Sequence, residues 1–306
     1  MPTWKGPHNP QTSSPHPQPA LSNMTQAHPH PSYVSIHGGH SGEFCNHALD
    51  SLEGIVQAYI RKGFAWVGLT EHAPPVTDAF MYPDEREAGL DAGRLYERFA
   101  AYIKTARELK ARFAGTLDIY VGFETELTSG ALLFTRRLLE TFQPDYIVGS
   151  LHHVDDISFD FSREHYHRAV ASLGGHDNLY CRYFDQQHEL IETLNPAVIG
   201  HFDLIRIYDE HYQTRLVKPE IADRIDRNLT LIADRGLILD FNLAALAKNM
   251  DEPYISAKIL EKAREKGIAV VPGDDSHSVD SVGRHLDAGI KILTGMGFST
   301  NWQRPA

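Results

Sequence analysis

Eighteen histidines in 306 residues mark where this chain can do chemistry. Histidine is the commonest protein ligand for metals, and neutral imidazole mixed with carboxylate is a natural donor set for divalent cations. The informative histidines are clustered, most of them directly after short apolar runs. The clusters are His37-Gly38-Gly39-His40, Cys45-Asn46-His47, Thr70-Glu71-His72, Gly122-Phe123-Glu124-Thr125-Glu126, Gly149-Ser150-Leu151-His152-His153, Gly200-His201-Phe202-Asp203 and Gly273-Asp274-Asp275-Ser276-His277. Phe241-Asn242 ends one further run. Brought together, so many imidazoles and carboxylates would be costly to desolvate, and the carboxylates would repel one another. Divalent cations remove both objections. One tetrahedral ion cannot use so many donors, so a cluster of two or three ions is expected. Cys45 reads as packing and its neighbour His47 as the ligand, while His165, His167, His176, His188, His211 and His285 lack this register and read as surface or packing residues.

The elements that must gather these groups follow from the patterning. Apolar runs at 33–36, 65–69, 117–123, 145–148, 197–199, 237–241 and 268–271 are apolar throughout, as strands of a helix-covered parallel sheet must be. Amphipathic stretches at 49–62, 92–112, 132–142, 178–194, 219–235, 256–266 and 282–296 alternate with them. Seven strand–helix units predict an α/β chain closed, or nearly closed, into a TIM-like barrel. Catalytic groups of such barrels sit at the C-terminal ends of the strands, where these clusters fall. Segments 73–90 and 154–175 read as long insertions suited to substrate loops. The barrel is expected over 33–306. Residues 1–32 hold eight of the seventeen prolines, four histidines and no acidic residue, and read as a disordered Pro/His-rich tail.

Composition narrows the function classes. Lys+Arg 29 against Asp+Glu 40 gives a net charge of −11, which opposes a nucleic-acid partner bound through phosphates. The longest apolar run is too short for a membrane span. Two cysteines rule out a disulfide scaffold and, with no signal-like segment, lead to an expected cytoplasmic location. Composition leaves the oligomeric state open.

The motifs His40-Ser41 with Cys45-Asn46-His47-Ala48, Thr70-Glu71-His72, Gly122-Phe123-Glu124, Gly149-Ser150-Leu151-His152, Gly200-His201-Phe202-Asp203 and Asp275-Ser276-His277 resemble the polymerase and histidinol phosphatase (PHP) superfamily, in particular its monofunctional histidinol-phosphatase branch. The resemblance implies a distorted (β/α)7 barrel. It implies metal ligands at His40, His47, His72, Glu124, His152, His201, Asp275 and His277, with Glu124 bridging two ions. The family opens with His-x-His, whereas this chain has His37-Gly38-Gly39-His40; His37 is retained as the ninth ligand. The implied ions are divalent zinc, manganese or iron. The implied reaction is hydrolysis of a phosphomonoester, here L-histidinol phosphate in histidine biosynthesis, with a nuclease or another phosphoesterase as the alternative. Within that chemistry Asp203 and His153 are candidate proton donors to the leaving alkoxide. Arg206 is the candidate phosphate clamp, because a guanidinium grips two oxygens at once. Asn242 is a candidate ligand-orienting or phosphate-binding group, and Glu126 a candidate acceptor for a substrate ammonium or imidazole.

Overall fold

Seven apolar runs become seven parallel strands, and their order in the sheet is their order in the chain. The computed structural model describes residues 31–305; the tail expected at 1–32 therefore lies, apart from Pro31 and Ser32, outside the described residues. The sheet strands are β1 Tyr33–Ser35, β2 Phe64–Leu69, β3 Asp118–Glu124, β4 Tyr146–Gly149, β7 Val198–Ile199, β8 Ile238–Asn242 and β9 Ala269–Gly273. Two further strands, β5 His153–Val154 and β6 Ile157–Ser158, form a separate antiparallel hairpin. The ladder runs from β1 through β9, and the amide of Ile36 donates to the carbonyl of Pro272 at 2.9 Å, drawing the first strand to the last. The distorted seven-stranded barrel expected from the resemblance is thus present and nearly closed.

Helices cover the outside because each carries an apolar stripe. Ala92–Arg112 starts where the Asp91 side chain accepts from the Arg94 amide at 2.8 Å, and buries Phe99, Tyr102, Ile103, Ala106 and Leu109 against the sheet. Two buried tyrosines tie strand ends together. Tyr102 Oη donates to the carbonyls of Leu69 and Gly122 at 2.6 and 2.7 Å, and Tyr146 Oη to that of Ile36 at 2.5 Å. Position 68 must be glycine, since a Cβ there would overlap the Tyr146 hydroxyl.

The expected insertions are more structured than loops. Segment 154–175 contributes to the β5–β6 hairpin and contains helix Arg163–Ser172, and segment 73–90 contains helix Pro83–Glu87. The hairpin turns at Asp155 and Asp156, φ 47° and 66°, a pair of left-handed residues that suits a two-residue connection. The helix expected from 282 begins at Leu286, because Gly283 and His285, both at φ 64°, interrupt the right-handed backbone.

Candidate metal centre and cleft

Strand ends place the histidines around one carboxylate. Glu124, the last residue of β3 and 2 % exposed, sits at the centre. Its Oε1 lies 2.8 Å from His201 Nε2, 3.4 Å from His37 Nε2 and 3.5 Å from His152 Nε2, while Oε2 lies 3.0 Å from His72 Nδ1. A carboxylate with imidazoles on both oxygens has the arrangement a bridging ligand needs. On the other side, His40 Nε2 is 3.3 Å from Asp275 Oδ1 and its ring stacks on His277 at 4.3 Å. His47 lies 5.0 Å from the His277 ring and 5.3 Å from that of His72. The structure brings all nine expected ligand positions, His37 included, into this one constellation.

The donor set fits divalent cations on a structural test. Nε2 of His37, His40 and His72 and Nδ1 of His201 are buried nitrogens without a hydrogen-bond partner, and cations at this cluster would satisfy such nitrogens. Donor atoms of His37, His40 and Glu124, of Glu124, His152 and His201, of His40, Asp275 and His277, and of Cys45, His47, His72 and His277 form groups lying within 4.8 Å of one another. Cys45 Sγ is 3.3 Å from His47 Nε2, so the residue expected only to pack also borders the donor set.

Electrostatics divides the imidazoles. Burial, with His72 and His277 alongside, pushes His47 down to about 2, and burial with His40 pushes His277 down to about 4, so both are neutral donors. Burial opposes the charged form of His40, but the carboxylates of Asp275 and Glu71 beside it outweigh that and raise His40 to about 9. Burial likewise opposes ionisation of Glu124, yet His37 and His152 hold its carboxyl well below the ordinary range.

A second layer of carboxylates aims the rings, and much of it was not anticipated from sequence. Asp240 Oδ2 accepts from His37 Nδ1 at 2.8 Å, and Glu71 Oε1 lies 3.2 Å from His40 Nδ1. Glu71 stood within a quoted cluster, and Asp240 precedes Asn242 by two along β8 and so shares its face. These partners fix tautomer and ring direction. Asp240→Asn is expected to weaken metal retention about 10–100-fold, as partners of this kind do on mutation; competition with a chromogenic chelator measures it, and unchanged retention would remove Asp240 from this role. Backbone strain gathers at the same rim, with Asp275 at φ 46° and His201 at φ 20°.

The remaining expected site residues are placed differently. Glu126 does not await a substrate amine: its carboxylate takes the His152 amide and Nδ1, the latter at 2.9 Å, and lies 2.9 Å from His153 Nδ1. Glu126 and His153 face a narrower cavity beside Phe80, Leu95, Phe99 and Phe134. Asn242 donates to Asp240 at 3.0 Å and to Asp275 at 3.2 Å, the contacts a ligand-orienting group would make. Asp203 and Arg206, expected at the open mouth, form a buried ion pair, 0 % and 1 % exposed. Asp203 Oδ2 accepts from Arg206 Nε at 3.1 Å and from the Ser256 amide at 2.9 Å. Arg206 Nη2 is spent on the carbonyls of Glu252 and Pro253, and its guanidinium lies 4.8 and 4.9 Å from the Tyr212 and Tyr254 rings. Only Asp203 Oδ1 and Arg206 Nη1 are left unpaired. The candidate clamp and the candidate proton donor thus sit as a buried tie, where burial leaves these charges to satisfy each other.

The open cleft above the constellation holds about 650 Å³ and is bordered by His47, His72, Glu124, His152, His201, Asp275 and His277 on its floor. Arg163 and Lys248, not Arg206, supply its cationic wall.

Residues 38–244 match the PHP domain. The chain is 34% identical over 87% of its length to a Schizosaccharomyces pombe protein named "Probable histidinol-phosphatase", covering 88% of it. It is 29% identical to the histidinol-phosphatase of Saccharomyces cerevisiae, over 81% of this chain and 84% of that one. A crystal structure from Listeria monocytogenes, described as a candidate histidinol phosphatase, superposes with a TM-score of 0.74 at 28% identity, covering 84% of this chain and 99% of that one. The fold is shared also with a Lactococcus lactis histidinol phosphate phosphatase, solved with zinc, L-histidinol and phosphate, at a TM-score of 0.66 and 17% identity over 87% of this chain and 94% of that one. The barrel, the nine gathered donors and these likenesses agree, and the chain belongs to the PHP-domain family.

Proposed function

We propose that this chain hydrolyses L-histidinol phosphate to L-histidinol and phosphate, a step of histidine biosynthesis, with two or three divalent ions held by His37, His40, His47, His72, Glu124, His152, His201, Asp275 and His277. The observation that carries the site chemistry is Glu124, buried with imidazoles facing both of its oxygens. Its relatives named for this activity carry the substrate.

Bound divalent ions supply Lewis-acid stabilisation of phosphoryl oxygens and lower the pKa of water, which the very slow uncatalysed hydrolysis of a phosphomonoester demands. The protein's own part is positional. Asp240, Glu71 and Glu126 fix the rings of His37, His40 and His152, so the donors are preorganised before substrate arrives. Arg163 and Lys248 place positive charge on the cleft wall, where it draws in a dianion and neutralises oxygens that gain charge in the transition state. The net charge of −11 does not oppose this, because charge at the floor is set locally. Among the described residues Cys45 and Cys181 are free thiols, and no helix is long and apolar enough to cross a membrane; the free thiols support a reducing, cytoplasmic setting.

The test pairs elemental analysis of the purified protein with a panel of phosphate esters. Histidinol phosphate is expected to exceed sugar phosphates, nucleotides and 4-nitrophenyl phosphate in kcat/KM, with turnover lost on chelation and restored by zinc, manganese or iron. Equal turnover across the panel defeats the substrate assignment, and hydrolysis of nucleic acid in preference favours the nuclease alternative.

A further inference from the structure

The cleft is lined by two chemically different sets of groups. Its floor is the metal constellation, and its rim carries one carboxylate that the constellation does not use. Three carboxylates border the cleft: Glu124 and Asp275, both facing imidazoles, and Asp160. Among the described residues Asp160 makes no ion pair; its side chain meets only Ser158 Oγ, at 3.4 Å. Its position is fixed through the backbone, since Tyr208 Oη donates to the Asp160 carbonyl at 3.3 Å. Arg163, three residues on, lies 5.4 Å from the Tyr208 ring instead of closing on Asp160.

Next to Asp160 stands Phe161, a large apolar side chain left 41 % exposed. It stacks on Tyr82 with ring centroids 5.9 Å apart at 24°, so the two insertions meet at an aromatic pair on the cleft border. An exposed aromatic beside an unpaired carboxylate has the composition of a site for a flat or cationic group: the ring face attracts a cation, and the carboxylate accepts its N–H.

We propose that Asp160, with the Phe161–Tyr82 pair, binds the leaving-group end of the substrate: an alcohol that carries a protonated amine beside an imidazole. This rests on the histidinol-phosphate reading and assigns the specificity of that same cleft. A dianionic phosphoryl group goes to the floor and to Arg163 and Lys248, and the cationic group to Asp160, so the cleft lining matches both charges of the substrate. Sugar phosphates offer Asp160 no cation, and nucleotides bring it further negative charge. Asp160 takes the place first assigned to Glu126, whose oxygens are taken up by His152.

The experiment uses the full-length, metal-loaded enzyme with L-histidinol phosphate and 4-nitrophenyl phosphate as substrates, and L-histidinol and inorganic phosphate as product inhibitors. Asp160→Asn is expected to lower the ratio of kcat/KM for histidinol phosphate over 4-nitrophenyl phosphate by about tenfold or more, the size of one lost charge-assisted contact, chiefly through KM. The inhibition constant of L-histidinol should rise by a similar factor, with that of inorganic phosphate moving far less. Asp160→Glu should recover part of the preference, and Phe161→Ala should shift it in the same direction as Asp160→Asn. A ratio and a histidinol inhibition constant that Asp160→Asn leaves at wild-type values overturn the subsite while the phosphatase reading stands. A wild-type enzyme with no preference for histidinol phosphate removes that reading, and the subsite with it.

Discussion

Glu124→Gln is expected to lower kcat by at least about 10³-fold and to reduce bound metal, with the barrel still folded. The size follows from position. Glu124 faces His37, His72, His152 and His201, so removing its charge would weaken the hold on the ions proposed above, and each factor of ten in rate corresponds to about 1.4 kcal/mol of transition-state stabilisation. The shape of the side chain is kept, so core packing around Phe123 and β3 is retained. The measurement combines metal content, kcat and far-UV circular dichroism on the same preparation. Wild-type kcat in a variant with normal metal content would show that Glu124 does not bridge the ions that do the chemistry. His72→Ala or Asp275→Asn should resemble it in kind, since each also removes a donor from the same cluster.

Arg206→Met is expected to destabilise the fold by about 3–5 kcal/mol, the usual penalty when one partner of a buried ion pair is removed and the other stays behind uncompensated. Asp203 is fully buried and keeps only the Ser256 amide as a donor once the guanidinium is gone. The carbonyls of Glu252 and Pro253 lose their partner at the same time. Urea unfolding measures the loss, which should appear as a lower midpoint. Asp203→Asn in the Arg206→Met background should recover part of it, because the stranded charge is then removed as well. An unchanged midpoint with a strongly raised KM would instead return Arg206 to the substrate through its unpaired Nη1.

Both expectations come from the same contrast between what strand patterning encodes and what it cannot. His152, His201 and Asp275 were legible because a β/α barrel puts the residues after each apolar run at one rim, whatever the packing behind them. Gathering these groups at the rim needed only that rule; the choice of nine among them is what the resemblance to the PHP superfamily implies. Glu71 precedes His72 directly and Asp240 stands two residues before Asn242, but nothing in the order of residues tells which ring each one aims. His37 and Asp240 are 203 positions apart and meet because β1 closes onto β9 beside β8. The placement of Arg206 is hidden in the sequence for a related reason. A cation three residues after a carboxylate at a strand end has the same sequence whether it opens to the cleft or turns inward to that carboxylate. Burial under Tyr212 and Tyr254 made the choice, and burial is a property of the assembled chain.

The amino-acid order alone thus determined the barrel, the face of it that works and the donor types gathered there, because strand polarity and side-chain alternation are local, periodic facts. The tertiary structure decided which carboxylate steers which imidazole, which arginine is consumed inside and which aspartate stays free at the rim. Those outcomes depend on who meets whom across the closed sheet, where each charge must find a partner or face water.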